Sequence, residues 1–200
     1  MKQLKEFINE QLITEAAPTF TNDMDGIKAF CDYVYDPNFV KYVVNPDLTI
    51  TLFPVNPAPN DVNNLYLEPK DLKEIPDFIE YSNIPTITLG ISWNKKLKRW
   101  APKVKGTCAG VVIANESKLQ ELDLTNCDCK GGQLYIEKCG DIKKIVGGKG
   151  DGVKVYIRKN KSLTHLDLRG FKNCMDPGSY VSKNKNLKDI SMIPSEVEID

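Results

Sequence analysis

The chain has 200 residues, 41% of them hydrophobic and 27% charged, and its 27 Lys and Arg balance 27 Asp and Glu. That composition belongs to one folded domain or one compact array of repeats, not to a disordered chain. Neutrality removes a whole-chain field aimed at nucleic acid or an anionic membrane, and no run reaches the roughly 18 apolar residues of a membrane span.

The N-terminus lacks the apolar core and small-residue cleavage site of a secretory signal, so export by that route is not expected. In an unexported chain the six Cys read as reduced, mostly buried thiols. His165 is the single histidine, which leaves no catalytic histidine network. These features together predict a non-enzymatic binding surface, without cofactor or metal, that meets another protein and not a membrane or nucleic acid.

In chain order, residues 2–15 read as an amphipathic helix with Leu4, Phe7, Ile8 and Leu12 on one stripe, ended by Ala16 and Pro18. The stretch Met1-Lys-Gln-Leu-Lys-Glu-Phe-Ile-Asn-Glu10 resembles the capsid-targeting peptides of internal head proteins of T-even-like bacteriophages. In that family the head-maturation protease cuts after Glu in Leu/Ile-x-Glu, usually before a small residue. Ile13-Thr14-Glu15 followed by Ala16-Ala17 fits this better than Ile8-Asn9-Glu10 followed by Gln11. The resemblance implies processing between Glu15 and Ala16 and a place in a phage virion. The plain alternative is a helix that packs against the body of a cytoplasmic protein or frays from it.

A second helix is predicted from about Asp25 to Tyr35, with Ile27, Phe30, Cys31 and Val34 facing inward and Asn22 or Asp23 as its N-cap. Three regions follow: a leader or amphipathic helix over residues 1–15, a helical cap over 16–40, and a solenoid over 41–200.

The solenoid rests on an internal repeat. Starting at Ile91, Ile113, Ile136, Ile157 and Val181, spaced by 22, 23, 21 and 24 residues, an aliphatic residue is followed six positions later by another. These second positions are Leu97, Leu119, Ile142, Leu163 and Leu187; three residues on come Trp100, Leu122, Ile145, Leu166 and Ile190. Weaker copies start near Leu67, with Leu72 and Ile75, and near Val43, with Leu48. Leu-x-x-Leu-x-Leu alternates with the period of a short strand. Asn94, Cys139, Asn160 and Asn184, three residues ahead of the first Leu, are short enough to turn inward and satisfy backbone groups at a bend. The segments Val111-Val112-Ile113, Leu134-Tyr135-Ile136, Val155-Tyr156-Ile157 and Tyr180-Val181 read as a second strand in each turn.

Leu119-x-x-Leu122-x-Leu124-x-x-Cys127 resembles the leucine-rich-repeat signature, and Leu163-x-x-Leu166-x-Leu168 repeats it until Phe171 stands in the Asn/Cys place. The resemblance is to the bacterial, strand-rich variety, good over residues 85–193 and poor over 40–85. It implies a mainly β, right-handed leucine-rich-repeat-like solenoid of five to seven coils with an N-terminal helical cap. Loops of varying length, with Ala101, Pro102 and Gly147 inside the pattern, leave open another β-solenoid or a non-repeat β fold.

Few motifs carry chemistry. Gly147-Gly-Lys-Gly-Asp-Gly152 lacks the Gly-Lys-Ser/Thr ending of a phosphate loop and reads as a flexible inter-strand loop. Cys127-x-Cys129, with Cys139 and Cys174, does not have paired zinc spacing. His165 and Asp167 share a strand face, but no motif supplies a nucleophile. Trp100 takes a core position, and core is also the expected place of Trp93. The outward positions of the stacked strands, Arg99, Glu121, Asp123, Lys144, His165, Asp167, Asp189 and Ser191, predict a continuous ladder of mixed charge as the partner-binding face. At the C-terminal end, Glu196-Val-Glu-Ile199 is expected either to cover the last coil as a strand or to leave an edge for a partner.

Overall fold

The computed structural model describes residues 18–55, 64–66, 72–92, 94–115, 118–175 and 177–200. The leader with Glu15 and Ala16, and Trp93, lie outside them. The described chain is mainly β, a solenoid of about five turns entered through one helix.

That helix spans Met24–Val34. Asp23 starts it from an extended conformation, its carboxylate accepting from the Gly26 amide at 2.8 Å. Ile27, Phe30, Cys31 and Val34 are buried in the solenoid core, and Phe20 meets the edge of the Phe30 ring. The helix packs beside Val40–Val44 and closes the N-terminal end of the core, as an atypical end does in a quasi-one-dimensional array. Tyr35 closes the join, its hydroxyl donating to that of the buried Tyr81 at 2.8 Å.

Each coil then crosses three faces. The longest is a seven-stranded parallel sheet running from Asn64–Tyr66 through Ile84–Ser92, Cys108–Ala114, Gln133–Glu137, Lys154–Arg158 and Tyr180–Ser182 to Glu198–Ile199. The short sheet stacks Arg99–Trp100, Glu121–Asp123, Lys144–Val146 and His165–Leu166. Coil lengths vary from 21 to 24 residues, but neighbouring coils stay in register because the spacing of the aliphatic positions within each unit is the same. Ile113 meets Ile136, Ile136 meets Ile157, and Ile157 meets Val181. The inward rows Leu119, Ile142, Leu163 and Leu122, Ile145, Leu166 are fully buried, each such side chain contributing about 1.5–3 kcal/mol by leaving water.

The corner between these two sheets is held by the short polar residues of the repeat. The Asn160 side chain donates to the Ile136 carbonyl of the preceding coil at 3.0 Å and accepts the Cys139 amide at 2.9 Å. Asn184 repeats the pattern one coil later, on the Ile157 carbonyl and the Asn160 amide. The Cys139 thiol reaches the Ile113 carbonyl, and Asn94 the Leu72 carbonyl. All four are buried, so the backbone groups they satisfy have no access to bulk water.

A third face carries strands that the repeat reading does not specify, one of them inside the glycine-rich stretch expected to be a loop. Ile50–Pro54, Glu80–Tyr81 and Lys103–Val104 stack in order, and Gly150–Asp151 pairs with Phe171–Lys172. Backbone bonds from Val104 to Asn126 and from Cys129 to Lys149 link the two groups. Gly147-Gly-Lys-Gly-Asp-Gly152 is therefore a packed corner and strand, not a flexible loop. Gly170 shows why glycine gathers there: a Cβ would stand 1.9 Å from the Gly148 carbonyl oxygen of the coil below.

Two outlying copies of the repeat depart from the pattern, the first by not forming a coil and the last by leaving its third aliphatic position uncovered. Val40–Val44 and Ile50–Pro54 form an antiparallel hairpin with Leu48 in its turn at φ 64°, and Val43 is exposed. Asn45-Pro-Asp is turn chemistry, and it overrides the weak aliphatic spacing. In the last coil Ile190 is 48% exposed instead of buried, because no following strand extends the short sheet past His165–Leu166. On the long sheet Glu198–Ile199 does form a covering strand, the first of the two expectations for that end.

The corner makes a sharp prediction. Asn160→Ala strands a buried carbonyl and a buried amide, so it is expected to cost roughly 2–4 kcal/mol in urea unfolding. Lys161→Ala, the adjacent exposed position, is expected to stay within about 0.5 kcal/mol.

Candidate binding surface of the short sheet

Outward residues of the short sheet follow from strand alternation: Leu122, Ile145 and Leu166 point in, so their neighbours point out. Register places Arg99 opposite Glu121, Glu121 opposite Lys144, and Lys144 opposite His165. The row thus reads cation, anion, cation, imidazole at successive coils about 4.8 Å apart. Arg99 lies 3.9 Å from Glu121 and 3.3 Å from Asp123, and Lys144 lies 3.2 Å from Glu121. The predicted ladder is present from Arg99 to His165. Asp189 stands beyond it, in a coil that contributes no strand to this sheet.

The aspartates also shape the chain where it leaves the sheet. The Asp123 carboxylate accepts from the Thr125 amide at 3.0 Å and its hydroxyl at 2.5 Å, and Asp189 serves Ser191 in the same way. Asp167 accepts from the Arg169 amide and is gripped by both arms of that guanidinium, at 2.9 and 2.7 Å. Its oxygens are thereby committed to Arg169 and not to His165.

Burial works against ionisation of Asp123, but the two Thr125 donors and the neighbouring Arg99 and Lys144 outweigh it and hold the carboxyl below its ordinary 3.8. The Arg169 guanidinium does the same to Asp167, and the Ser191 hydroxyl to Asp189.

Beside Arg99 the surface is concave. A cleft of about 360 Å³ is lined by Ile75, Pro76, Trp100 and Pro102 together with the charged Glu74, Asp77 and Arg99. Trp100 itself is buried, as its repeat position predicts.

On the long sheet, outward Tyr135 and Tyr156 stack at a centroid distance of 4.5 Å, and Tyr180 lies tilted against Tyr156 at 4.3 Å. Next to them Glu137 accepts from the Tyr135 hydroxyl and from Arg158 at 2.6 Å, with Lys159 at 3.6 Å. Desolvation opposes its charge, yet the Tyr135 and Arg158 hydrogen bonds keep it below its ordinary 4.5.

The cysteines are buried: Cys127 donates to the Pro102 carbonyl at 3.3 Å, and the Cys108 and Cys129 sulfurs lie 3.6 Å apart. Among the described residues no three His, Cys, Asp or Glu side chains converge as a metal site.

Sequence reasoning overlooked one surface. At the amide corner, Lys118, Lys138, Lys159, Lys161, Lys183 and Lys185 line a groove of about 580 Å³. Its signal was present in Lys159-Asn160-Lys161 and Lys183-Asn184-Lys185, where lysines flank the inward amide. Whole-chain neutrality hid it.

The chain matches no family model, no curated protein and no solved structure.

The depressed carboxylates fix the sign of an acid effect. Their folded-state pKa values lie below the unfolded ones, so the stability they give is complete above pH 3.8, the ordinary value, and is lost as pH falls through the lower folded values. Urea unfolding between about pH 5 and about pH 2 is expected to show stability falling on acidification, with a shallower slope in Asp123→Asn.

Proposed function

We propose that the protein is a non-enzymatic binding protein of the leucine-rich-repeat kind that holds another protein on the outward face of its short sheet. Arg99, Glu121, Asp123, Lys144, His165 and Asp167 supply the charged contacts, and Asp189 flanks them in the next coil. The observation that carries this reading is the in-register row from Arg99 to His165 beside the cleft at Trp100 and Pro102. Alternating charge suits a partner with a complementary pattern, and charge complementarity sets register and encounter rate more than raw affinity. The adjoining cleft, where Ile75, Pro76 and Pro102 lie beside Glu74 and Asp77, gives a side chain of that partner a concave seat with both apolar and acidic walls. Support for the repeat family comes from the Leu-x-x-Leu-x-Leu rows and from the inward Asn and Cys corner.

Charge reversal tests the face. In pull-downs from the native host, Arg99→Glu with Lys144→Glu is expected to abolish capture of any partner held by the wild type while leaving the fold intact by circular dichroism. A partner retained equally by both proteins refutes this face as the site.

A second reading rests on Ile13-Thr14-Glu15-Ala16 and its likeness to phage head leaders. On this reading a T-even-type head-maturation protease removes residues 1–15 and the body travels in the virion. Intact mass after co-expression with such a protease is expected to show loss of the leader, and Glu15→Gln to block it. An uncut wild-type chain removes the reading.

A further inference from the structure

We propose that the lysine groove at the amide corner is a second binding site, distinct from the short-sheet face, and that it takes an extended acidic peptide segment of a partner protein.

The groove holds an unbalanced charge. Of its six lysines, Lys118 is neutralised by Asp141 at 3.1 Å and Lys159 shares Glu137 with Arg158. Among the described residues no carboxylate lies within ion-pair distance of Lys138, Lys161, Lys183 or Lys185. Carried on coils whose backbones lie about 4.8 Å apart, these lysines set like charges along one edge, with Lys138 alone also in the field of Glu137.

The backbone supplies a second, independent observation. Lys138, Lys159 and Lys183 take the left-handed conformation, at φ of 57°, 58° and 55°, and Asn115 occupies the corresponding place one coil earlier at 56°. A long side chain is disfavoured there relative to Asn or Gly. Strained conformations of this kind concentrate at functional sites. Three successive coils nonetheless carry lysine where asparagine serves the fold in the fourth.

Shape and chemistry select the ligand. A concave groove receives a chain, where a bilayer demands a flat or protruding surface. The lining holds neither arginine nor an aromatic ring, the groups that phosphate forks and unstacked bases favour. The nearby tyrosines are already stacked, Tyr135 and Tyr156 only 10° from parallel, so the facing sides of those two rings are spent on each other. Carboxylates on an extended backbone fit what remains. From Lys118 to Lys183 the groove crosses three coil steps, about 14 Å, the reach of roughly four extended residues. The aliphatic lysine stems provide walls for the peptide's own methylenes.

Fluorescence anisotropy with a labelled oligoglutamate of about eight residues and the full chain tests this. The wild type is expected to bind it, and more weakly as salt rises from about 50 to about 200 mM. Lys159→Asn, Lys183→Asn, Lys161→Gln and Lys185→Gln together are expected to weaken binding roughly tenfold or more. The thermal midpoint is expected not to fall, because Asn tolerates the left-handed corner better than Lys. Should the fourfold variant lose its fold, the two Asn substitutions alone are expected to weaken binding in the same direction. Arg99→Glu with Lys144→Glu is expected to leave peptide binding unchanged, so this site and the short-sheet face fail separately. Wild-type indifference to the peptide, or equal binding by the folded lysine variants, overturns the proposal. So does tighter binding, through the same lysines, of a single-stranded oligonucleotide of equal charge or of phosphatidylserine vesicles.

Discussion

The structure depends on a short polar side chain that points into the core at one corner of four turns, at Asn94, Cys139, Asn160 and Asn184. Where the chain leaves the long sheet its backbone no longer pairs strand to strand, yet it stays buried. Asn160 and Asn184 resolve this by donating to a carbonyl of the coil before and accepting an amide beside it. Cys139 makes the donor half of the same bond. Because each of these bonds crosses between coils, the corner sets the stacking register as well as its own shape. The aliphatic rows then meet like against like, and the core becomes continuous from the cap helix to Val197.

That corner also explains the surface outside it. To bring the amide inward, the preceding residue turns through a left-handed conformation, and its side chain is carried out to solvent. In three coils this residue is lysine, and in two the residue after the amide is lysine too. One backbone requirement, repeated at the coil spacing, therefore creates a row of like charges. The short sheet follows a different rule: its outward charges alternate in sign from coil to coil and neutralise one another in place. A chain with no net charge thus separates into a self-compensated face and a strongly cationic edge.

The two ends obey different constraints. At the N-terminus a helix with Asp23 as its cap buries Ile27 and Phe30 in the core, and both the helix and its cap were legible from local chemistry. The hairpin that follows was not, because Val43 and Leu48 mimic the aliphatic spacing while Asn45-Pro-Asp turns the chain back on itself. At the other end the pattern through Leu187 and Ile190 persists in sequence, but burial needs a neighbouring coil on both sides. Ile190 is exposed because the short sheet has already stopped.

What the sequence determined by itself was everything written into a single turn: the period, the inward leucines, the inward amide, the cap helix, and the outward row from Arg99 to His165. These depend on alternation and on local hydrogen-bonding capacity, which neighbouring residues along the chain already specify. Only the tertiary structure decided what stacking creates. It turned a glycine-rich stretch into a strand of the third face, because only glycine allows coils to approach as closely as Gly148 and Gly170 do. It also gathered lysines more than twenty residues apart into one groove, because charge summed along a chain carries no record of which residues recur at the same corner.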